Sequence, residues 1–194
     1  LVAVILSGGQ SRRMGTPKAW VDIGGRPCIG RVLDACRAAP LGVEFQGTLA
    51  GLAEAFPGVP VWPDADPGQG PLAALAAAFA RRPGRSVFLL ACDLPFVSPD
   101  LLRGVAAALD GADWAVPAHG GQLHPLCAAY APSALPLVAA LLGQGRRDMH
   151  ALLRHPALSG RRVEPTPAWG APDTLLMNVN TPEDLAAARR LAGG

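Results

Sequence analysis

Val2-Ala3-Val4-Ile5-Leu6-Ser7-Gly8-Gly9-Gln10-Ser11-Arg12-Arg13-Met14-Gly15-Thr16-Pro17-Lys18 opens on a run of apolar residues and passes without a break into a glycine-rich, basic loop. An unbroken apolar run bounded by Gly-Gly reads as a strand covered on both faces, as in a parallel sheet. In such sheets the turn after a strand is where ligands bind. The loop ends on Lys18, the only lysine in a chain with 17 Lys and Arg. A compact ammonium cannot be exchanged for a planar guanidinium where a point charge must reach a phosphate oxygen in a tight space. The exception therefore marks Lys18 as a candidate phosphate contact, against the alternative that its placement is chance.

Working outward, the pattern repeats. Ile29, Val32, Leu33 and Cys36 recur at helical spacing behind Pro27. Residues 43–46 and 59–62 read as strands on either side of a short helix over 49–56. Pro71 opens an alanine-rich helix to Ala80, and 86–91 is an apolar central strand ending at Cys92-Asp93. Ser98, as cap, and Pro99, at the first position, start another helix. This strand–helix alternation predicts a doubly wound, mostly parallel α/β sheet with its function at the carboxyl ends of the strands. The second half is less regular. Residues 114–117 and 126–130 around a turn at 119–122 predict a hairpin or mixed-sheet extension, followed by a helix over 132–142. Residues 174–179 read as strand, and Thr181-Pro182-Glu183-Asp184 caps a last helix to Leu191. With no linker between the halves, the expectation is one domain over 1–194.

Composition narrows the function classes. The 194 residues are 50% hydrophobic, enough for a substantial core, and the 23 glycines and 20 prolines are scattered as turn punctuation. A net charge of +2, with basic pairs well separated, argues against nucleic acid or a membrane surface as a partner. No apolar stretch reaches the roughly 20 residues of a membrane span, and the apolar start lacks a basic leader, so the expected compartment is the cytoplasm. Cys28, Cys36, Cys92 and Cys127 follow no metal or redox spacing and read as reduced, buried small residues.

The residues that could carry chemistry follow strand ends. The first loop is neither a Walker A element nor G-x-G-x-x-G, because Thr16-Pro17 separate Gly15 from Lys18. Its glycines still allow main-chain N–H groups to turn toward an anion, and with Arg12, Arg13 and Lys18 they make a donor array suited to a triphosphate. Asp93 at the end of the central strand is placed to take a Mg²⁺ ion that also bridges phosphates, or else caps a turn. Asp64 and Asp66 lie in another strand-end loop. One of them could accept hydrogen bonds from a base edge while the other serves the turn. Asn178 and Asn180 flank Val179, so in an extended segment both amides face one side, although Asn180 is also placed to cap the last helix.

The ordered set Leu-Ser-Gly-Gly-Gln-Ser-Arg-Arg-Met-Gly-x-x-Lys, Asp64 with Gly70-Pro71-Leu72, Cys92-Asp93-Leu94-Pro95, His124-Pro125-Leu126 and Asn178-Val179-Asn180-Thr181-Pro182-Glu183-Asp184 resembles the molybdenum cofactor guanylyltransferase family, the MobA type of nucleotidylyltransferase, across almost the whole chain. The resemblance implies a Rossmann-like three-layer α/β sandwich and the transfer of GMP from GTP, with Mg²⁺, to the terminal phosphate of molybdopterin or Mo-molybdopterin, releasing pyrophosphate. Its partners would include other cofactor-biosynthesis proteins and molybdoenzymes. By motif, the Leu6, Ser7, Gly8 and Gly9 main chain would hold the nucleotide, Arg13 and Lys18 its phosphates, Asp64 the guanine or ribose end, and Asp93 the magnesium. Asn178, Asn180 and His124 would belong to the pterin side. The chain departs from the family in carrying Gln46 where an asparagine is frequent. Two other readings stand beside this one: a related cytidylyl or sugar-phosphate transferase, and a non-catalytic nucleotide-binding carrier of the cofactor.

Overall fold

In a computed structural model, residues 1–8, 17–64 and 68–193 are described. The opening run forms β1 (Val2–Leu6), in which Ala3, Val4 and Ile5 are completely buried. It lies at the middle of an eight-stranded sheet. On one side run β2 (Gly42–Gln46) and the edge strand β3 (Val61–Trp62); on the other lies β4 (Val87–Ala91), all parallel to β1. Beyond β4 the sheet turns mixed. The strand β7 (Cys127–Tyr130) is antiparallel to both β4 and β5 (Trp114–His119), and β5 forms a hairpin with β6 (Gln122–Leu123) across Gly120-Gly121.

Because side chains alternate along a strand, each strand feeds two cores. Ala3, Ile5, Phe45, Phe88 and Leu90 pack with α1 (Cys28–Ala38), α2 (Leu52–Ala55) and α4 (Pro99–Ala108). Val4, Val87, Leu89 and Tyr130 pack on the opposite face with α3 (Gly70–Arg81), α5 (Leu135–Gly143) and α6 (Met149–Leu153). The result is the expected three-layer sandwich. The α4 start is as read from sequence: Ser98 Oγ accepts the Leu101 N–H at 3.2 Å, with Pro99 at the first helical position.

Two readings are corrected, and one strand is new. Residues 174–179 are not a strand: Pro172 and Asp173 favour a helix start, and the segment begins as α7 (Pro172–Leu175). The apolar run there reflects burial of Leu175, Leu176 and Val179, and Val179 makes a lone N–H bond of 2.9 Å to the Asp93 carbonyl. The strand expected over 59–62 is reduced to two residues, since Pro60 has no N–H for the ladder and only its carbonyl takes part, accepting Phe45 N–H at 2.8 Å. A further strand, β8 (Gly160–Val163), pairs in parallel with β5, and its mostly exposed Gly-Arg-Arg-Val carries no strand pattern to read.

The last helix, α8 (Pro182–Gly193), returns to the start of the chain. Val21, Ile23 and Cys28 share a small core with Val179 and Ala188, and Arg189 Nε donates to the Asp22 carbonyl at 3.1 Å.

Candidate active site

The carboxyl ends of β1, β2 and β4 open onto a cleft of about 920 Å³, a size that accommodates a nucleotide. Its lining includes Leu6, Gly8, Lys18, Gln46, Asp64, Asp93, Asn178 and Asn180, residues that the sequence reading selected from five separate segments. One wall was not anticipated. Gly68, Gln69, Gly70, Pro71, Ala73, Ala74 and Ala77 present a face of small side chains at the start of α3. Such a face leaves room for a flat ring, and the alanine-rich composition of the helix was its signal.

Lys18 enters from a short turn behind Pro17. Its Nζ donates to Asp93 Oδ2 and, at 3.0 Å, to Asn180 Oδ1. Asp93 is 4% exposed at the end of β4, and its Oδ1 is buried with no hydrogen-bond partner among the described residues. Asn180 is free to serve the lysine because another residue caps α8. Thr181 Oγ1 accepts the Asp184 N–H at 3.1 Å, while Asp184 Oδ2 accepts the N–H groups of Asn180 and Thr181, each at 2.9 Å. This reciprocal box, with aspartate in place of the usual glutamate, fixes the backbone on which Asn180 rides. The Asn180 N–H, followed by that of Thr181, holds the Asp184 carboxyl below its ordinary range.

Gly8 and Gly47 make the close approach at the end of β1 possible. A side-chain carbon on Gly8 would stand 2.9 Å from Asp64 Oδ2, and one on Gly47, where φ is +145°, would stand 2.5 Å from Gly8 N. Ser7 contributes differently from expectation. Its N–H is spent on the Gln46 carbonyl at 2.8 Å and its hydroxyl donates to the same oxygen at 3.1 Å, so it ties β1 to β2 and leaves no donor for a ligand.

Gln46 is 1% exposed, with Nε2 donating to the Ala74 carbonyl at 3.2 Å and reaching Asp64 Oδ1 at 3.5 Å. His124 is not brought to the cleft. It lies between β6 and β7, its N–H bonded to the Pro117 carbonyl at 3.0 Å, while Leu126, two residues on, reaches the lining. Burial, and then the neighbouring His119, push the His124 imidazole below its usual value. Gly9, Arg12, Arg13, Gly15 and Asp66 lie outside the described residues.

Among the described residues no group of three or more His, Cys, Asp or Glu could cage a metal, so Asp93 is the carboxylate available beside Lys18. One carboxylate suits Mg²⁺, which takes most of its ligands from water and substrate phosphates. The orphaned Oδ1 is an acceptor whose burial calls for a cation or donor, and in this respect the residues fit the ion. The adjacent Cys92 thiol is no nucleophile, because burial, and then the Asp93 charge, push it up to about 12.

An ammonium, a buried carboxylate with a spare oxygen and a glycine-lined turn at the switch point of a parallel sheet define a nucleotide-handling α/β protein. The chain belongs to the MobA-like NTP transferase domain family, whose model matches residues 3–162. It is 36% identical to the molybdenum cofactor guanylyltransferase of Cereibacter sphaeroides, over 98% of this chain and 96% of that protein. It is 34% identical to a probable molybdenum cofactor guanylyltransferase of Pelotomaculum thermopropionicum, over 97% and 92%. Among solved structures it is similar to the molybdopterin-guanine dinucleotide biosynthesis protein A of Archaeoglobus fulgidus, with a TM-score of 0.81 and 26% identity covering 100% of this chain and 99% of that one.

Proposed function

We propose that this protein is a molybdenum cofactor guanylyltransferase, transferring GMP from GTP to the terminal phosphate of molybdopterin or Mo-molybdopterin with release of pyrophosphate. The observation that carries the reading is the Lys18, Asp93 and Asn180 cluster in the cleft of a chain of this family. The nucleotide would lie with its triphosphate over the β1 turn and its base toward Asp64, Gln46 and the small-residue face of α3. The pterin would enter from the side of Asn178 and Asn180.

Transfer of a nucleotidyl group leaves a protein little covalent work; it must align the nucleophile and stabilise spreading charge. The pterin phosphate attacks the α-phosphorus of GTP in line and pyrophosphate leaves opposite. No general base is needed, because a phosphate monoester is already largely dianionic near neutral pH, its second pKa being about 6. Lys18 stabilises negative charge on the phosphoryl oxygens, with Asn180 orienting the ammonium. Arg13 of the same loop is assigned to these phosphates by motif. Asp93 would hold a Mg²⁺ ion, which would supply charge neutralisation on the phosphates. We place the reaction in the cytoplasm and in one domain over 1–194. Among the described residues no helix is long and apolar enough to cross a membrane.

Calorimetric titration with GTP, CTP and ATP, each with and without Mg²⁺, tests the reading. Selective, Mg²⁺-dependent GTP binding followed by pyrophosphate release on adding molybdopterin is the expected result. Selective CTP binding would move the protein to the cytidylyltransferases, and binding without transfer would make it a carrier.

A further inference from the structure

Gln46 does not stand alone behind Asp64. Its Oε1 accepts from Arg81 Nη2 at 2.6 Å, and the same Nη2 reaches Glu44 Oε1 at 3.1 Å. Glu44 is completely buried, and its other oxygen accepts from Arg82 Nη2 at 2.6 Å and from Trp62 Nε1 at 3.2 Å. The Arg81 guanidinium also lies over the Trp62 ring, 5.4 Å from its centroid. A guanidinium only donates and a backbone carbonyl only accepts. With Arg81 on one side of Gln46 and the Ala74 carbonyl on the other, chemistry allows a single orientation of the amide: Oε1 toward Arg81, Nε2 toward Ala74 and Asp64. The Nε2 donor faces Asp64 Oδ1 at 3.5 Å, and a side-chain carbon on Gly8 would stand 2.9 Å from Asp64 Oδ2.

We infer that Arg81, held by Glu44, is a positioning residue for base selection: it locks the Gln46 amide so that Asp64 presents a carboxylate to the base edge. The inference rests on the assignment of Asp64 to the guanine end. A fixed carboxylate accepts from the ring N–H and exocyclic amine of guanine together, whereas an unlocked Gln46 could turn its own oxygen toward Asp64 and push the carboxylate out of place. The length of the glutamine side chain is what brings the amide within reach of Arg81.

The test is nucleotide titration with Mg²⁺, comparing GTP with ITP, which differs only in lacking the exocyclic amine. The wild-type protein should favour GTP by about tenfold, the loss expected when one hydrogen bond to a charged group is missing. Arg81→Gln should bring the two affinities within about threefold of each other, GTP weakening and ITP changing little. Arg82→Gln is the control. It removes a comparable contact to Glu44 without touching Gln46, and should lower thermal stability while leaving the GTP preference intact. If Arg81→Gln does not fold, Gln46→Glu keeps the Arg81 contact, removes the Nε2 donor and should lose the preference alone. Retention of the full preference in Arg81→Gln or in Gln46→Glu, or equal loss in Arg82→Gln, would overturn the positioning role. A wild-type protein that binds GTP and ITP equally would remove the assignment of Asp64 itself, and with it the inference.

Discussion

Replacing Lys18 by alanine tests the centre of the cleft from two directions. The Lys18 side chain is 27% exposed and the Asp93 carboxylate that it neutralises is 6% exposed. Removing one partner of a buried pair costs about 3–5 kcal/mol, because the other charge stays buried without compensation. Partial access of water to Lys18 lowers that to about 2–3 kcal/mol. At about 2–4 °C per kcal/mol for a chain of this length, the melting temperature should fall by roughly 4–12 °C. GMP transfer should fall by about a hundredfold to a thousandfold, as when one preorganised donor to a developing oxyanion is removed. Lys18→Arg separates the effects. It keeps the charge beside Asp93 and hence most of the stability, but a planar fork cannot follow the path of a point charge, so transfer should still drop at least about tenfold. Thermal unfolding by circular dichroism and pyrophosphate release with molybdopterin as acceptor supply the two readouts. A Lys18→Ala protein melting within about 1 °C of the wild type and transferring GMP within about threefold would refute both the pairing and its role.

Other predictions concern the surrounding frame. Gly47→Ala, whose added carbon would meet Gly8 N at 2.5 Å with φ at +145°, should cost about 2 kcal/mol or more and weaken nucleotide binding. Gly111→Ala, with φ at +66° and nothing within 4 Å, should cost about 1 kcal/mol, and equal losses in the two proteins would count against the close approach. Because His124 is held below its ordinary value, the folded protein takes up its proton less readily than the unfolded chain. Stability should therefore decline as pH falls below about 6.5, and His124→Asn should flatten that fall in melting temperature; an unchanged slope would contradict this. Burial pushes Cys36 and Cys92 up to about 12 and raises Cys28 and Cys127 as well. None of the four should react with Ellman's reagent in the native protein at about pH 8, while all should react once it is unfolded. A rapidly labelled native thiol would argue against that packing.

How much of this was legible depended on whether a signal was local. β1 and β4 could be read because strands covered on both faces are apolar at every position, and the site followed because Asp64 and Asp93 come two residues after strands and Lys18 ends the glycine-rich stretch that follows β1. Ser98 and the Thr181 box were legible for the same reason, since a cap is written within four residues. Glu44 carried a weaker signal, an acid between Val43 and Phe45 in a strand with no other charge, which requires a buried partner but does not say which one. The partners Arg81 and Arg82 are 37 and 38 residues away, a pairing fixed only by the packing of α3 on the sheet. β8 was hidden because an exposed edge strand needs no hydrophobic pattern, and residues 174–179 misled because an apolar run records burial, not backbone shape.

The hydrogen bond from Lys18 to Asn180 spans 162 positions, and Arg189 reaches back 167 positions to Asp22. The site is thus buckled by a segment synthesised long after the loop that it closes. A nascent or prematurely terminated chain that stops before residue 178 carries Lys18, Asp64 and Asp93 but lacks the amides of Asn178 and Asn180 and the return of α8 over Val21 and Ile23. Completion of the cleft therefore waits on synthesis of residues 178–180 and of the helix that follows, so translation interrupted before that point yields silent fragments rather than partly competent ones.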